Sequence, residues 1–188
     1  MTPNLSIAID FCALNKIIDL RQIMNIKLLL VAIGFIVFSS CQNSNQEHKQ
    51  HNYPKQTGSI NDFGLIFSFK EKYILDSLIT NLKNRSNVEL TLVSLDSTMT
   101  TTENFNSYTL QLANVWGINK KEKKKILIAI SAPLQRVRIN KGLAIQKGMS
   151  GVHIREIMDV FMFPEFRKGN YFEGTRSGIE QIEKKLNK

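Results

Sequence analysis

A dense group of lysines offers the clearest functional chemistry in this 188-residue sequence, whose formal net charge is +9. The residues that share this cationic chemistry are Lys120, Lys121, Lys123, Lys124 and Lys125. Ammonium groups at this density could attract phosphates, anionic lipid or acidic glycans. A solvated surface that binds nothing is the alternative interpretation. Nucleic acid is not predicted as a partner, because no base-stacking aromatic side chains alternate with the lysines.

Side chains that could catalyse a reaction are few. Ser150 has no His or Asp partner at a recognisable spacing, so a nucleophilic triad is not supported. His153 lies near the start of a predicted helix, where a surface role is common. The sequence has no phosphate-binding loop and no paired-carboxylate signature. Catalytic residues therefore remain unknown from the sequence.

Cys41 ends a segment that is typical of bacterial export signals. Met-Asn-Ile-Lys at residues 24–27 is followed by an apolar stretch at 28–38 and then by Ser-Ser-Cys. This stretch is short for a transmembrane helix. Small residues before a cysteine resemble a lipobox, so residues 24–41 are predicted to be a lipoprotein signal peptide. Cys41 would become the lipid-modified (palmitate-bearing) N-terminus.

This signal predicts an exported protein of the cell envelope, anchored to the membrane by lipid and facing the periplasm or the cell exterior. A buried strand with an incidental cysteine is the alternative. Residues 1–23 precede the signal and are interpreted as a mis-called extension. Residues 42–59 are polar throughout and predict a flexible tether. The folded domain is then residues 60–188, which contain no cysteine and hence no disulfide.

Hydrophobic spacing in this domain alternates between helical and strand periods. It predicts helices at 70–84, 102–116, 151–163 and 174–186, and strands at 88–95, 126–130 and 135–140. The apolar run at 126–130 indicates a strand buried on both faces. In the next strand Arg136 and Arg138 are predicted to point outward and could extend a binding surface, as could an exposed patch at Tyr171. The order α-β-α-β-β-α-α predicts an α/β fold, a layered α/β/α sandwich over a small mixed sheet.

Four segments of this domain resemble motifs of the TPM domain family. They are Ile-Asn-Asp-Phe at 60–63, Trp-Gly-Ile at 116–118, Arg-Val-Arg-Ile at 136–139 and Pro-Glu-Phe-Arg-Lys-Gly-Asn-Tyr-Phe-Glu-Gly at 164–174. The family includes thylakoid-lumen proteins linked to photosystem repair, a receptor modulator and bacterial envelope proteins. The resemblance implies an α/β sandwich, acid-phosphatase activity in some members and calcium binding in others.

The chain departs from the family where an acidic site would lie. Lys123, Lys124 and Lys125 replace the Asn/Asp-Asn-Gly positions, Gln146 replaces a Glu and Gly151 replaces an Asp. Calcium needs six to eight oxygen ligands, several of them carboxylates. We therefore expect the calcium site to be lost or weakened, and no cofactor unless that site is retained.

Asp62, in the opening motif, is the remaining candidate for a metal ligand, although an Asn-Asp pair is equally often a turn or cap. These departures favour a non-catalytic accessory module that binds an envelope protein or an anionic surface. The alternative is a phosphatase-like hydrolase. In that hydrolase Asp62 would help to hold a metal, and the lysines would attract phosphate.

Overall fold

The structure is a computed structural model that describes residues 52–145 and 148–187. Its strands are β1 (Ile60–Asp62), β2 (Glu89–Ser94), β3 (Lys125–Ser131) and β4 (Arg136–Lys141). Its helices are α1 (Phe69–Ser86), α2 (Phe105–Val115), α3 (Gly151–Glu156), α4 (Phe163–Phe166) and α5 (Tyr171–Leu186), with a 3-10 turn at Leu143–Ile145 and a π-helical segment at Ile157–Met162. None of the described helices is both long and apolar enough to cross a membrane.

The four strands form one mixed sheet in the order β1-β2-β3-β4. The pairs β1–β2 and β2–β3 are parallel, whereas β3–β4 is antiparallel. Helices α1 and α5 cover one face of this sheet and α2 covers the other. Strand β3 is buried on both faces, because Ile128 packs beneath α1 and Leu127 packs beneath α2. The predicted α/β sandwich over a mixed sheet is confirmed.

Strand β1 is absent from the predicted order, which began with a helix. Only Ile60 in this strand is hydrophobic, so the strand lacks the apolar alternation that identified the others. Its central residue, Asn61, is nevertheless 1% exposed. The Asn61 side-chain amide donates to the carbonyls of Gly58 (3.0 Å) and Leu92 (3.3 Å), and its oxygen accepts from the Thr57 amide (2.7 Å). Hydrogen bonds rather than apolar burial hold this strand in the sheet.

The C-terminal helices differ from the sequence prediction in their limits and local geometry. The helix expected at 151–163 is present as a continuous helical stretch from Gly151 to Phe166, in which a π-helical segment, Ile157–Met162, lies between α3 and α4. Helix α5 starts at Tyr171, three residues before the predicted start. Within α5, Gly174 and Gly178 pack directly against the π-helical segment and α4. A Cβ atom at Gly174 would lie 2.5 Å from the Phe166 ring, so the two helices approach too closely for any other residue.

The packed domain starts before Ile60. The Tyr53 ring lies 5.1 Å from that of Tyr108, centroid to centroid, and the Trp116 Nε1–H donates to the Pro54 carbonyl at 2.8 Å. Tyr53 and Pro54 are therefore held against α2 and its carboxyl-terminal cap. The predictions for residues 1–51, including lipidation of Cys41, lie outside the described residues.

Candidate functional site

Asp62 stands at the carboxyl end of β1, where its side chain is 4% exposed. Its Oδ1 accepts hydrogen bonds from the Ile66 amide at 3.0 Å and from the Ser94 hydroxyl at 2.5 Å. Its Oδ2 accepts from the Phe67 amide at 3.3 Å and pairs with the Lys72 ammonium at 3.2 Å. The carboxylate therefore ties β1 to β2, to the loop after β1 and to the first turn of α1.

This arrangement does not fit a bound calcium ion. A carboxylate offers about four lone-pair positions, and four donors already occupy those of Asp62. One of the donors, the Lys72 ammonium, is a cation that would repel a metal at the same place. Among the described residues no three His, Cys, Asp or Glu side chains cluster closely enough to hold a metal. Of the altered positions of the expected acidic site, Gln146 lies outside the described residues and Gly151 begins α3.

The lysine loop, defined as Lys120, Lys121, Lys123 and Lys124 with Glu122, joins α2 to β3, and all five side chains are exposed. Its last backbone carbonyl, that of Lys124, accepts a hydrogen bond from the amide that begins β2. The fifth predicted lysine, Lys125, belongs to β3 and its side chain is only 18% exposed. The structure thus divides the lysine run into a solvent-facing loop and one strand residue.

Glu89 lies beside this loop, because its backbone amide bonds to the Lys124 carbonyl. Its Oε2 lies 3.5 Å from the Lys125 ammonium and its Oε1 lies 3.6 Å from that of Lys83. Partial burial raises the pKa of Glu89, but Lys125, Lys83 and Lys123 outweigh that effect and hold the pKa below its ordinary value. The lysines around Glu89 therefore favour its ionised form.

The structure separates Asp62 from the lysine loop. Asp62 ends β1 and pairs with Ser94, the last residue of β2, so both lie at the carboxyl edge of the parallel strands. The lysine loop precedes β3 and therefore lies at the amino edge. Strand β3 has seven residues and spans about 20 Å. A single phosphate cannot contact both groups, so they do not form the combined metal and phosphate site of the hydrolase hypothesis.

The remaining predicted binding residues lie away from the loop as well. Arg136 is exposed and pairs with Ser131, the last residue of β3, at the carboxyl edge. Arg138, predicted to point outward, is half-buried, and its Nε–H donates to the Asn140 side chain at 2.9 Å. Burial lowers the pKa of Arg138. The Tyr171 hydroxyl donates to the Ala132 carbonyl at 3.4 Å.

Tyr171 also lines an open pocket of about 370 Å³ at the carboxyl edge. The residues around this pocket are Gln135, Asp159, Phe163, Phe166, Arg167 and Tyr171. Of these, the sequence pattern singled out only Tyr171 as a binding residue. The other lining residues come from the turn before β4, from the π-helical segment and from α4 and its end. No spacing in the sequence indicates that these residues lie close together.

Ser150 and His153 form reciprocal hydrogen bonds with each other. The Ser150 hydroxyl accepts a hydrogen bond from the His153 amide at 3.2 Å, and His153 Nδ1 accepts from the Ser150 amide at 3.4 Å. This reciprocal pair caps the amino end of α3. Both polar side chains are thereby used in starting the helix.

Comparison with known families identifies the domain. A family model described as the TPM domain matches residues 60–185, which is most of the chain. The chain belongs to the TPM domain family. The comparison with curated proteins gave no match.

Solved structures of similar domains share this TPM fold. The N-terminal domain of a P. gingivalis protein is 24% identical with a TM-score of 0.60, and the match covers 68% of this chain and 81% of that one. The N-terminal domain of a Corynebacterium glutamicum protein is 12% identical with a TM-score of 0.53, and the match covers 71% of this chain and 83% of that one. A protein of the psychrophilic bacterium Bizionia argentinensis is 17% identical with a TM-score of 0.53, covering 64% and 81%. At these identities the likeness establishes the fold alone.

The TPM motifs of this chain serve the fold. Gly117 has a φ of 67° and closes α2, while the next amide, that of Ile118, donates to the Ala113 carbonyl at 2.8 Å. In the last motif the Lys168 ammonium lies 2.7 Å from Glu165, which also accepts from the Asn170 amide at 3.1 Å. These two donors hold the pKa of Glu165 below its ordinary value.

Asn61 and Asp62 also serve the fold. Their side chains hydrogen-bond to β2 and to the segments that precede and follow β1. Each carboxylate of the four TPM motifs in the described residues accepts a hydrogen bond from a donor within the chain. These motifs therefore contribute contacts that hold the fold together.

Proposed function

We propose that this TPM-domain protein is a lipid-anchored accessory module of the cell envelope that binds a partner and catalyses no reaction. The lipid would be carried by Cys41, and the domain would face the periplasm or the cell exterior. The partner would be an envelope protein or another anionic surface, held through the lysine loop.

One observation carries this proposal: the exposed lysine loop and the buried carboxylate of Asp62 lie at opposite edges of the sheet. Asp62 has four donors and is 4% exposed, so it is suited to stabilising the fold rather than to binding metal. The side chains of the lysine loop are exposed, and in the described part of the chain its lysines form no ion pair within 4.0 Å. This combination favours binding over hydrolysis.

Two experiments test the proposal. Cells that express the full chain are labelled with palmitate, and the label is expected on the native protein and not on Cys41→Ser.

The purified protein is also incubated with a generic phosphate ester, with and without added calcium or magnesium. No turnover above background is expected. Metal-dependent turnover that disappears in Asp62→Asn would contradict the non-catalytic proposal and restore the hydrolase.

A further inference from the structure

Three chain segments meet at the amino edge of the sheet and form one basic end. The Glu89 amide donates to the Lys124 carbonyl at 2.8 Å, which joins the start of β2 to the lysine loop. Arg85 pairs with Glu183 at 3.3 Å and Ser86 donates to Asn187 at 2.8 Å, which brings the carboxyl end of α5 beside that of α1. The basic end comprises Lys83, Arg85, Lys120, Lys121, Lys123, Lys124, Lys125 and Lys184, with the acidic residues Glu89, Glu122 and Glu183.

The carboxylates at the basic end do not neutralise the lysine loop. Glu89 is shared between Lys83 and Lys125, and Glu183 is taken up by Arg85. Within the described part of the chain, Lys120, Lys121 and Lys124 have no carboxylate oxygen within 4.0 Å. An excess of exposed ammonium groups therefore covers this end of the domain.

The chain that leads back to Cys41 passes close to this surface. Pro54 accepts a hydrogen bond from Trp116, and the Lys120 side chain lies over the adjacent Gly117, where an added Cβ would approach it to 3.2 Å. The twelve residue steps from Cys41 to Tyr53 span at most about 40 Å and on average about 20 Å if flexible. A lipid on Cys41 would thus hold the basic end within reach of the bilayer surface.

We propose that the basic end docks onto the anionic phospholipid headgroups of the membrane that anchors the protein. This proposal rests on the lipid anchor of the proposed function for its orientation, but the docking chemistry does not require the lipid. A basic surface supplies a second, electrostatic attachment beside a lipid anchor. Each lysine close to an anionic surface contributes about 1 kcal/mol, which is about a fivefold factor in affinity.

The test uses residues 42–188 without lipid, binding to phosphatidylcholine vesicles that contain or lack phosphatidylglycerol. This part of the chain contains both hydrophobic cores, and the similar P. gingivalis domain has a solution NMR structure as an isolated domain. We expect binding only to the anionic vesicles, weakening as salt rises. Replacing Lys120, Lys121, Lys123 and Lys124 together by Gln is expected to weaken binding on the order of a hundredfold or more.

A matched variant removes four exposed cations from the opposite edge of the sheet. In this control Lys70, Arg136, Arg167 and Lys168 become Gln, so the change in net charge is the same. We expect it to bind within a few-fold of the native domain. Glu122→Gln adds a positive charge within the loop and is expected to tighten binding about fivefold. Circular dichroism of each variant verifies that the fold is retained.

Equal weakening in the two fourfold variants would overturn the proposal, because binding would then follow net charge and not the basic end. A second result would also overturn the proposal. In it, the domain binds equally to both kinds of vesicle, and this binding is lost when Phe69 and Tyr73 are replaced by Ser. These side chains are 88% and 72% exposed at the amino end of α1, and such a result would assign membrane contact to them. Capture of an acidic envelope protein without vesicle binding would also overturn it. Failure of palmitate labelling would refute the anchor alone, and loss of anionic-vesicle binding would refute the docking alone.

Discussion

The Ser94 hydroxyl donates a hydrogen bond of 2.5 Å to Asp62 Oδ1, and this contact joins the ends of β1 and β2 across the carboxyl edge of the sheet. The Gly64 amide also donates to the Ser94 hydroxyl oxygen, at 2.9 Å. Asp62 and Ser94 are thus the centre of a small buried network that fixes the loop after β1. The first motif of the TPM domain is, in this chain, a structural junction.

Replacing Asp62 by Asn should destabilise the domain. The new amide group would face donors at Phe67 and Lys72, which leaves polar groups unsatisfied. We expect a loss of about 2–4 kcal/mol in the free energy of unfolding, measured by urea denaturation. In a double-mutant cycle with Ser94→Ala, the two losses should not be additive. Full additivity, or a loss below about 0.5 kcal/mol, would refute the network.

Gly174→Ala should destabilise the helical hairpin although Ala is the better helix former. The added Cβ would lie 2.5 Å from the Phe166 ring and 2.9 Å from the Met162 carbonyl, so α5 and α4 must move apart. We expect a loss of about 1–3 kcal/mol in thermal or urea unfolding. Gly151→Ala serves as the control, because nothing lies within 4 Å of its added Cβ. If both variants behave alike, the close helix contact is wrong.

The contribution of Glu89 to stability should depend on pH. The pKa of Glu89 is lowered in the folded state, against burial, by Lys125, Lys83 and Lys123. A lowered pKa stabilises the fold above the unfolded-state pKa of about 4.3, and that stability is lost as pH falls through the folded pKa. The native protein should therefore exceed Glu89→Gln in urea midpoint at neutral pH, and the difference should vanish in acid. A difference that grows on acidification would contradict this sign.

The two-sided core was predictable from residue spacing, whereas the position of β1 was not. Strand β3 is an uninterrupted apolar run, and burial on both faces follows from it directly. Strand β1 has one hydrophobic residue and is held by hydrogen bonds to Gly58, Leu92 and Ser94, which are contacts that hydrophobic periodicity does not report. Likewise, Tyr53 packs on Tyr108 although the segment around it is polar.

The sequence did not indicate that Asp62 and the lysine loop lie at opposite edges of the sheet. Asp62 follows a strand and the lysine loop precedes one, and in a parallel sheet these positions lie at opposite edges. Without β1 in the predicted order, Asp62 had no assigned edge. The sequence also did not predict which face of the sheet each helix covers. Strands β1, β2 and β3 are adjacent and parallel, and α1 and α2 lie on opposite faces of them. The two crossover connections therefore have opposite hands, against the usual right-handed preference.

Thermal unfolding of the domain with calcium, with magnesium and with chelator tests the central claim most directly. A metal held only by the folded state raises stability by RT ln(1 + [L]/Kd), about 2.7 kcal/mol at a hundredfold excess over Kd. Because four donors engage Asp62, we predict the same midpoint in all three conditions. A calcium-specific increase in midpoint that Asp62→Asn abolishes would contradict the structural role of Asp62 and make a metal-dependent activity the better account.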